Sequence, residues 1–195
     1  MKAKFIKGLA LATAVTASMT AAPIHAADYV IDTKGAHAFI QFRISHLGTS
    51  WLLGRFNKFA GEFSYDAAKP EASSVNVEVD VTSLDSNHAE RDKHLRDNDF
   101  LNVAKHPTAS FKSTQFVPNE NGGGVMKGML TLYGSTKEIA IDVEKVGEGK
   151  DPWGGYRAGF SGTVELQPKE FGMNYQLGPA AETVYMDLHI EGIRK

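Results

Sequence analysis

The chain has 195 residues, with 21 basic and 23 acidic side chains, a net charge of −2 and no cysteine. Without thiols there is no disulfide, no lipid-modified cysteine and no thiolate-bound metal, so the fold rests on its core and a metal site would have to use His, Asp and Glu. The mildly acidic balance argues against nucleic acid as a partner.

Lys2, Lys4 and Lys7 precede an apolar stretch over residues 8–19, followed by Pro23 and small residues ending at Ala26 and Ala27. This is the pattern of a secretory signal peptide, expected to be cut after Ala26 or within a residue of it. The stretch is shorter than the roughly 20 residues of a spanning helix, and no later segment is as apolar. Residues 27–195 are therefore expected to form one soluble domain in the periplasm. Cleavage removes three basic residues and no acidic one, leaving a net charge near −5.

Strict alternation of apolar and polar residues dominates the rest of the chain and predicts half-buried strands. Ala38, Ile40, Phe42 and Ile44 alternate with His37, Gln41, Arg43 and Ser45. The pattern continues with Phe59, Phe63 and Tyr65, and then with Val75, Val77, Val79 and Val81 against Asn76, Glu78, Asp80 and Thr82. Residues 86–105 break the period, with charges at most positions, and are expected to form one or two helical turns on the outside of the strands. Further strands are predicted over 109–117, 125–133, 137–146, 156–166 and 183–193, about eight in all. Turns are expected at 121–124, at Gly134-Ser135 and at 147–149, with a short helical piece near 168–171.

Many antiparallel strands with one apolar face either stack as two sheets or close on themselves, and closure into an eight-stranded barrel is preferred. Ile40, Phe42, Val77 and Val79 would then face the lumen. Alternation does not say whether that lumen is packed solid or holds a small ligand. In the charged stretch, His88 with Asp92 and Glu90 with His94 have helical spacing. They are read either as a metal or proton-transfer cluster or as surface pairs, the second being the commoner use of such spacing. Trp51 and Trp153 suit barrel ends or a mouth.

The run from Val79 through Asp80, Ser83, Asp85, His88, Arg91, Asp92, His94 and Arg96 to Asp99, Phe100, His106 and Pro107 closely resembles the YceI family of periplasmic, lipocalin-like proteins. The resemblance extends over Ala27-Asp28-Tyr29, residues 39–48 and 130–137, Asp151-Pro152-Trp153-Gly154-Gly155 and Leu177-Gly178-Pro179-Ala180. It implies an all-β, eight-stranded lipocalin-like barrel with a short helical insertion around residues 87–105, whose lumen holds a long isoprenoid-type amphiphile such as a polyprenyl lipid or an isoprenoid quinone. On that reading the cations Arg91, Lys93 and Arg96, and with them His46, stand near the mouth, where a cation or imidazole meets the polar end of the ligand. No enzymatic activity, catalytic residue, metal or required cofactor is expected, and the chain would act as a monomer or homodimer. The competing readings are a metal-assisted enzyme using His88, Asp92 and His94, and a solid-core envelope stress or assembly factor.

Overall fold

The structure, a computed structural model, describes residues 26–195; the expected signal segment and its junction lie outside the described residues, apart from Ala26 itself. The strand segments are β1 (Ala27–Ile31), β2 (Phe39–His46), β3 (Ser50–Phe56), β4 (Phe59–Tyr65), β5 (Ser74–Asp80), β6 (Leu84–Asp85), β7 (Thr108–Pro118), β8 (Gly124–Leu132), β9 (Ser135–Lys150), β10 (Tyr156–Leu166) and β11 (Val184–Arg194), with one helix, α1 (Ala89–Arg96).

These segments build eight walls, because three walls are each made of two successive segments. The first wall, β1 then β2, lies against β4 and β3, with Tyr29 opposite Phe63 and Ile40 opposite Phe56. The second wall pairs in turn with β5 and β6, through Phe59 opposite Val79 and Arg55 opposite Asp85. From β5 the order runs β7, β8, β9, β10, β11, every pair antiparallel. The ring closes where β11 meets the first wall, Val30 opposite Ile193 and Phe42 opposite Met186. Closure removes the edges that an open sheet would leave to aggregate.

Alternation locates β2, β4, β5, β7, β8, β10 and β11 and most of β9, and misses β1, β3 and the short β6. In β3 the lumen side carries Gly54 between Leu52 and Phe56, while Trp51 and Leu53 are apolar on the outer side, which hides the period of two. The expected turn at 147–149 is also absent: β9 runs on to Lys150 past a bulge beside Gly159 and Phe160, and neither Gly147 nor Gly149 takes a positive φ. Reversal comes after it, where Asp151 Oδ1 accepts from the backbone N–H groups of Trp153 at 3.0 Å and Gly155 at 2.7 Å.

The charged stretch forms α1 within the connection from β6 to β7, a narrower helix than residues 87–105. Its charges follow the helix dipole, Glu90 and Asp92 in the first turn and Lys93, His94 and Arg96 in the last. His88 caps it, Nδ1 accepting from Arg91 N at 3.2 Å. Buried Asp92 turns back to Ser86, accepting from its N–H at 2.8 Å and its Oγ at 2.5 Å. No described helix is long and apolar enough to cross a membrane.

Candidate functional site

One end of the barrel is closed by stacked rings. Tyr29 lies flat on Phe63 at 4.8 Å between centroids, and Phe160 meets Phe63 at 5.7 Å and Tyr65 at 5.1 Å edge-on. Above this floor runs a cavity of about 540 Å³, within the usual span of small-molecule sites. Its walls are the inward residues of the alternating strands, among them Ile40, Phe42, Val77, Val79, Phe111, Ile141, Val164 and Leu188.

Glycines on the inner face keep this lumen open. A side-chain carbon at Gly54 would stand 2.3 Å from Phe42 Cζ, one at Gly128 2.5 Å from Phe111 Cζ, and one at Gly192 2.4 Å from Phe63 Cε1. Each of these phenyl rings therefore lies along the wall over a glycine instead of projecting across the barrel.

The other end is roofed by α1, the residues after it and the irregular segment before β11. Leu95, Phe100, Leu101, Met173, Tyr175 and Leu177 all line the cavity there. Phe100 joins the two segments, its ring 4.9 Å from Tyr175 and 4.9 Å from His94. Burial pushes the Tyr175 hydroxyl up to about 12, so it stays a neutral phenol at physiological pH. His46 and Arg91 also line this end, which gives the mouth two imidazoles, one guanidinium and one phenol above an apolar shaft. Hydroxyls at the far end are Ser64 and Ser74, bonded to each other at 2.8 Å, and Ser73, whose buried Oγ has no partner.

Of the sequence-predicted site residues, Ile40, Phe42, Val77, Val79, His46 and Arg91 all border the cavity. Arg96 does not: its Nε donates to Thr82 O at 2.9 Å and its Nη2 to Leu84 O, fixing α1 to the start of β6 and the turn before it. Arg91 is held by Ser86, through Nε to Oγ at 2.8 Å and Nη2 to the carbonyl. Nη1 has no hydrogen-bond partner among the described residues. The His88, Asp92 and His94 cluster is dispersed, since His88 caps the helix, Asp92 serves Ser86 and His94 turns toward the cavity. Trp51 lies on the outer wall at the mouth end, whereas Trp153 is at the tip of the β9–β10 hairpin at the opposite end.

A second cluster, on the outside of the barrel, brings Asp32, His37 and Glu191 close enough to hold a metal ion. Arg157 already supplies the positive charge. Its Nη1 stands 2.7 Å from Asp32 Oδ2 and 2.5 Å from Glu191 Oε1, and its Nε 2.9 Å from Asp151 Oδ2. His37 Nδ1 is 2.9 Å from Asp32 Oδ2, and Gly35 N donates to Asp32 Oδ1 at 2.8 Å. The His37 and Arg157 hydrogen bonds together hold the Asp32 carboxyl down to about 2. The arrangement ties residues 32–38, the break between β1 and β2, to β10 and β11, and reads as structural.

Comparison with known proteins agrees with this architecture. Residues 29–192 match the model of the YceI-like domain. A UPF0312 protein of Shewanella baltica is 59% identical over 170 residues, covering 87% of this chain and 89% of that protein, and one of Vibrio cholerae is 59% identical over 171 residues, covering 88% and 89%. Among solved structures, the Campylobacter jejuni YCEI protein superposes with a TM-score of 0.69 at 25% identity, over 78% of this chain and 90% of that one. A polyisoprenoid binding domain from Saccharophagus degradans shares the fold, with a TM-score of 0.60 at 14% identity over 88% of this chain and all of its own. With a family match over most of its length and relatives well above half identical, the chain belongs to the YceI-like family.

Proposed function

We propose that the chain is an exported binding protein that holds a long isoprenoid-type amphiphile, a polyprenyl lipid or an isoprenoid quinone, tail down in the barrel and polar end at the mouth. The observation that carries this reading is the cavity: an apolar shaft closed by aromatic rings at one end, with Arg91, His46, His94 and Tyr175 gathered at the other. Such a division of surfaces matches a molecule with one polar end. The name of the Saccharophagus domain, a polyisoprenoid binder of the same fold, supports the same ligand class.

The energetics are sufficient. Each five-carbon prenyl unit taken out of water gains on the order of 4 kcal/mol gross, at about 0.8 per carbon group. Two or three units in the shaft then support micromolar binding after the costs of ordering. Export to the periplasm is part of the proposal and is supported by Lys2, Lys4 and Lys7 before the apolar stretch. The role is binding without turnover, because two of the three residues of the alternative catalytic cluster, His88 and Asp92, are spent on capping and tying α1 and are drawn away from His94.

Organic extraction of the protein purified from its own periplasm, followed by mass spectrometry, tests the proposal. A prenyl lipid near one per chain is the expected result. Protein that yields no lipid, and takes up none after delipidation, would refute it.

A further inference from the structure

The turn between β2 and β3 carries two costs that the fold does not recover. Leu47 and Gly48 both have positive φ, 56° and 71°, and Thr49 N donates to His46 O at 3.0 Å, closing a tight turn within the three-residue loop between His46 and Ser50. Asn, Asp or Gly takes the first of these positions without strain, and leucine does not. The Leu47 side chain is also 72% exposed. The two-residue turn between β8 and β9 has the same pair of positive φ at Tyr133 and Gly134, 52° and 73°, but there the strained residue is packed, its ring 4.6 Å from His106. A strained leucine facing water points to a use outside the fold.

Leu47 does not stand alone. Trp51 and Leu53 face outward on β3, 52% and 67% exposed, and Leu177 is 46% exposed while also lining the cavity. Gly48 is seated against the segment that carries Leu177, its β-carbon position 3.8 Å from Ala180 Cβ. Apolar surface therefore continues from the outer wall, over the rim and into the lumen. The patch carries little net charge: Arg43 stacks on Trp51 and Tyr185, at 5.5 and 5.2 Å, and is paired with Asp187 at 3.1 Å. Nor does β3 offer a long edge to another strand, being paired with β2 throughout and with β6 at Arg55 and Phe56.

We propose that the barrel docks mouth-first on a lipid surface through this hairpin, with Leu47, Trp51 and Leu53 entering the boundary between head groups and acyl chains. Leucine beside tryptophan, tyrosine and a stacked arginine is the composition that favours such a boundary. The inference rests on the reading of the barrel as a lipid carrier, for which it supplies the route: with the floor closed by rings, an amphiphile moves between bilayer and shaft at this end and crosses no water.

The test is flotation of the purified protein with vesicles of phosphatidylethanolamine and phosphatidylglycerol, and with vesicles of phosphatidylcholine alone, at low and high salt. Binding to both with little effect of salt is expected, because apolar insertion is screened by neither. Leu47→Asn combined with Leu53→Ser should weaken binding roughly tenfold, the scale of two partly inserted apolar side chains. Leu47→Asn alone should raise the melting temperature while lowering binding, an opposition that a structural role for Leu47 does not produce. Uptake of geranylgeraniol from vesicles should slow by a similar factor in the double variant, with uptake from detergent micelles unchanged. Absence of flotation, binding abolished by salt, unaltered binding in the double variant, or a dimer that the substitutions dissociate would each overturn the docking surface. Failure of wild-type uptake from micelles would instead refute the carrier reading, and flotation would still decide the docking one.

Discussion

A carboxyl placed at residue 79 reports directly on whether the shaft is dry. Val79 lines the cavity between Phe59 of β4 and Ala109 of β7, and neither neighbour offers a hydrogen bond or a charge from its side chain. In Val79→Asp the group avoids ionised burial by taking up a proton, which caps its cost. Holding a carboxyl of ordinary pKa near 3.9 in its neutral form at pH 7 costs about 4 kcal/mol, at 1.36 per unit. The same step costs only about 1.5 kcal/mol at pH 5. The folded-state pKa is raised, so the penalty is absent below the unfolded value and grows with pH up to the folded one. Urea unfolding of wild type and variant should show a stability difference about 2.7 kcal/mol larger at pH 7 than at pH 5, accompanied by loss of extracted lipid. Asn76→Asp, at an exposed position one residue from Val77, should show neither effect. A pH-independent difference in Val79→Asp, with a normal lipid load, would mean that the introduced carboxylate stays ionised in a wet or solvent-facing site, and the apolar shaft would be refuted.

Four further outcomes follow from the geometry. The Asp32 carboxyl, held down to about 2 by His37 and Arg157, contributes stability above the unfolded pKa of 3.8 that is lost as pH falls toward 2; Asp32→Asn should cost about 2 kcal/mol at pH 7 by urea midpoint, the gap to wild type closing in acid. Gly54→Val should drive the Phe42 ring into the lumen, lowering stability by about 1–3 kcal/mol and reducing the lipid extracted per chain. Arg91→Ala should weaken retention of a charged or strongly polar head group by about 1–3 kcal/mol, whereas Arg96→Ala should lower the urea midpoint and leave the lipid load alone, since Arg96 serves only the Thr82 and Leu84 carbonyls. Dialysis against a chelator should leave the melting temperature and lipid content unchanged, because Arg157 already balances Asp32 and Glu191; a drop in either would restore the metal reading.

Where burial alone sets the choice of residue, the sequence is legible. The valines of β5 and the Ile40–Phe42 pair of β2 declare their inner face by a period of two, and the structure turns that face to the cavity. The same rule fails at β3, where a glycine stands on the inner side and two large apolar residues on the outer. Both departures have a physical use, Gly54 making room for Phe42 and the outer apolar residues belonging to the exposed rim. It fails again at residues 147–149, where composition suggests a turn but the hydrogen-bonding side chain of Asp151 sets the reversal several residues later. The mouth is only half readable. Arg91 stands out by charge, but Tyr175, Met173 and Leu177 come from an irregular segment with no period, and only the fold brings them over α1. Likewise the Arg157 cluster draws on three separate stretches, residues 32–37, residues 151–157 and Glu191, a proximity that no local pattern encodes.

Eight walls are near the limit at which inward side chains fill a barrel, so a lumen at this strand number needs a device to keep it open. Here the device is spread over several walls. Phe42, Phe111 and Phe63 contribute large apolar area, but because each covers a glycine, that area is laid along the wall. The barrel thereby buries the Phe42 and Phe111 rings without giving up its axis, while Phe63, over Gly192, belongs to the floor. A packed core and a hollow one then differ by a few glycines, not by overall hydrophobicity, which explains why alternation predicted the walls and could not predict the space between them. The same arrangement sets the limits of the cavity: at the floor Tyr29 and Phe160 crowd onto Phe63 and close the shaft, and at the mouth closure falls to segments outside the sheet, α1 and residues 173–177, joined through Phe100 and Tyr175. Those segments make fewer backbone bonds to their neighbours than the walls do, so the mouth is the end at which the proposed ligand would enter with least disturbance of the barrel.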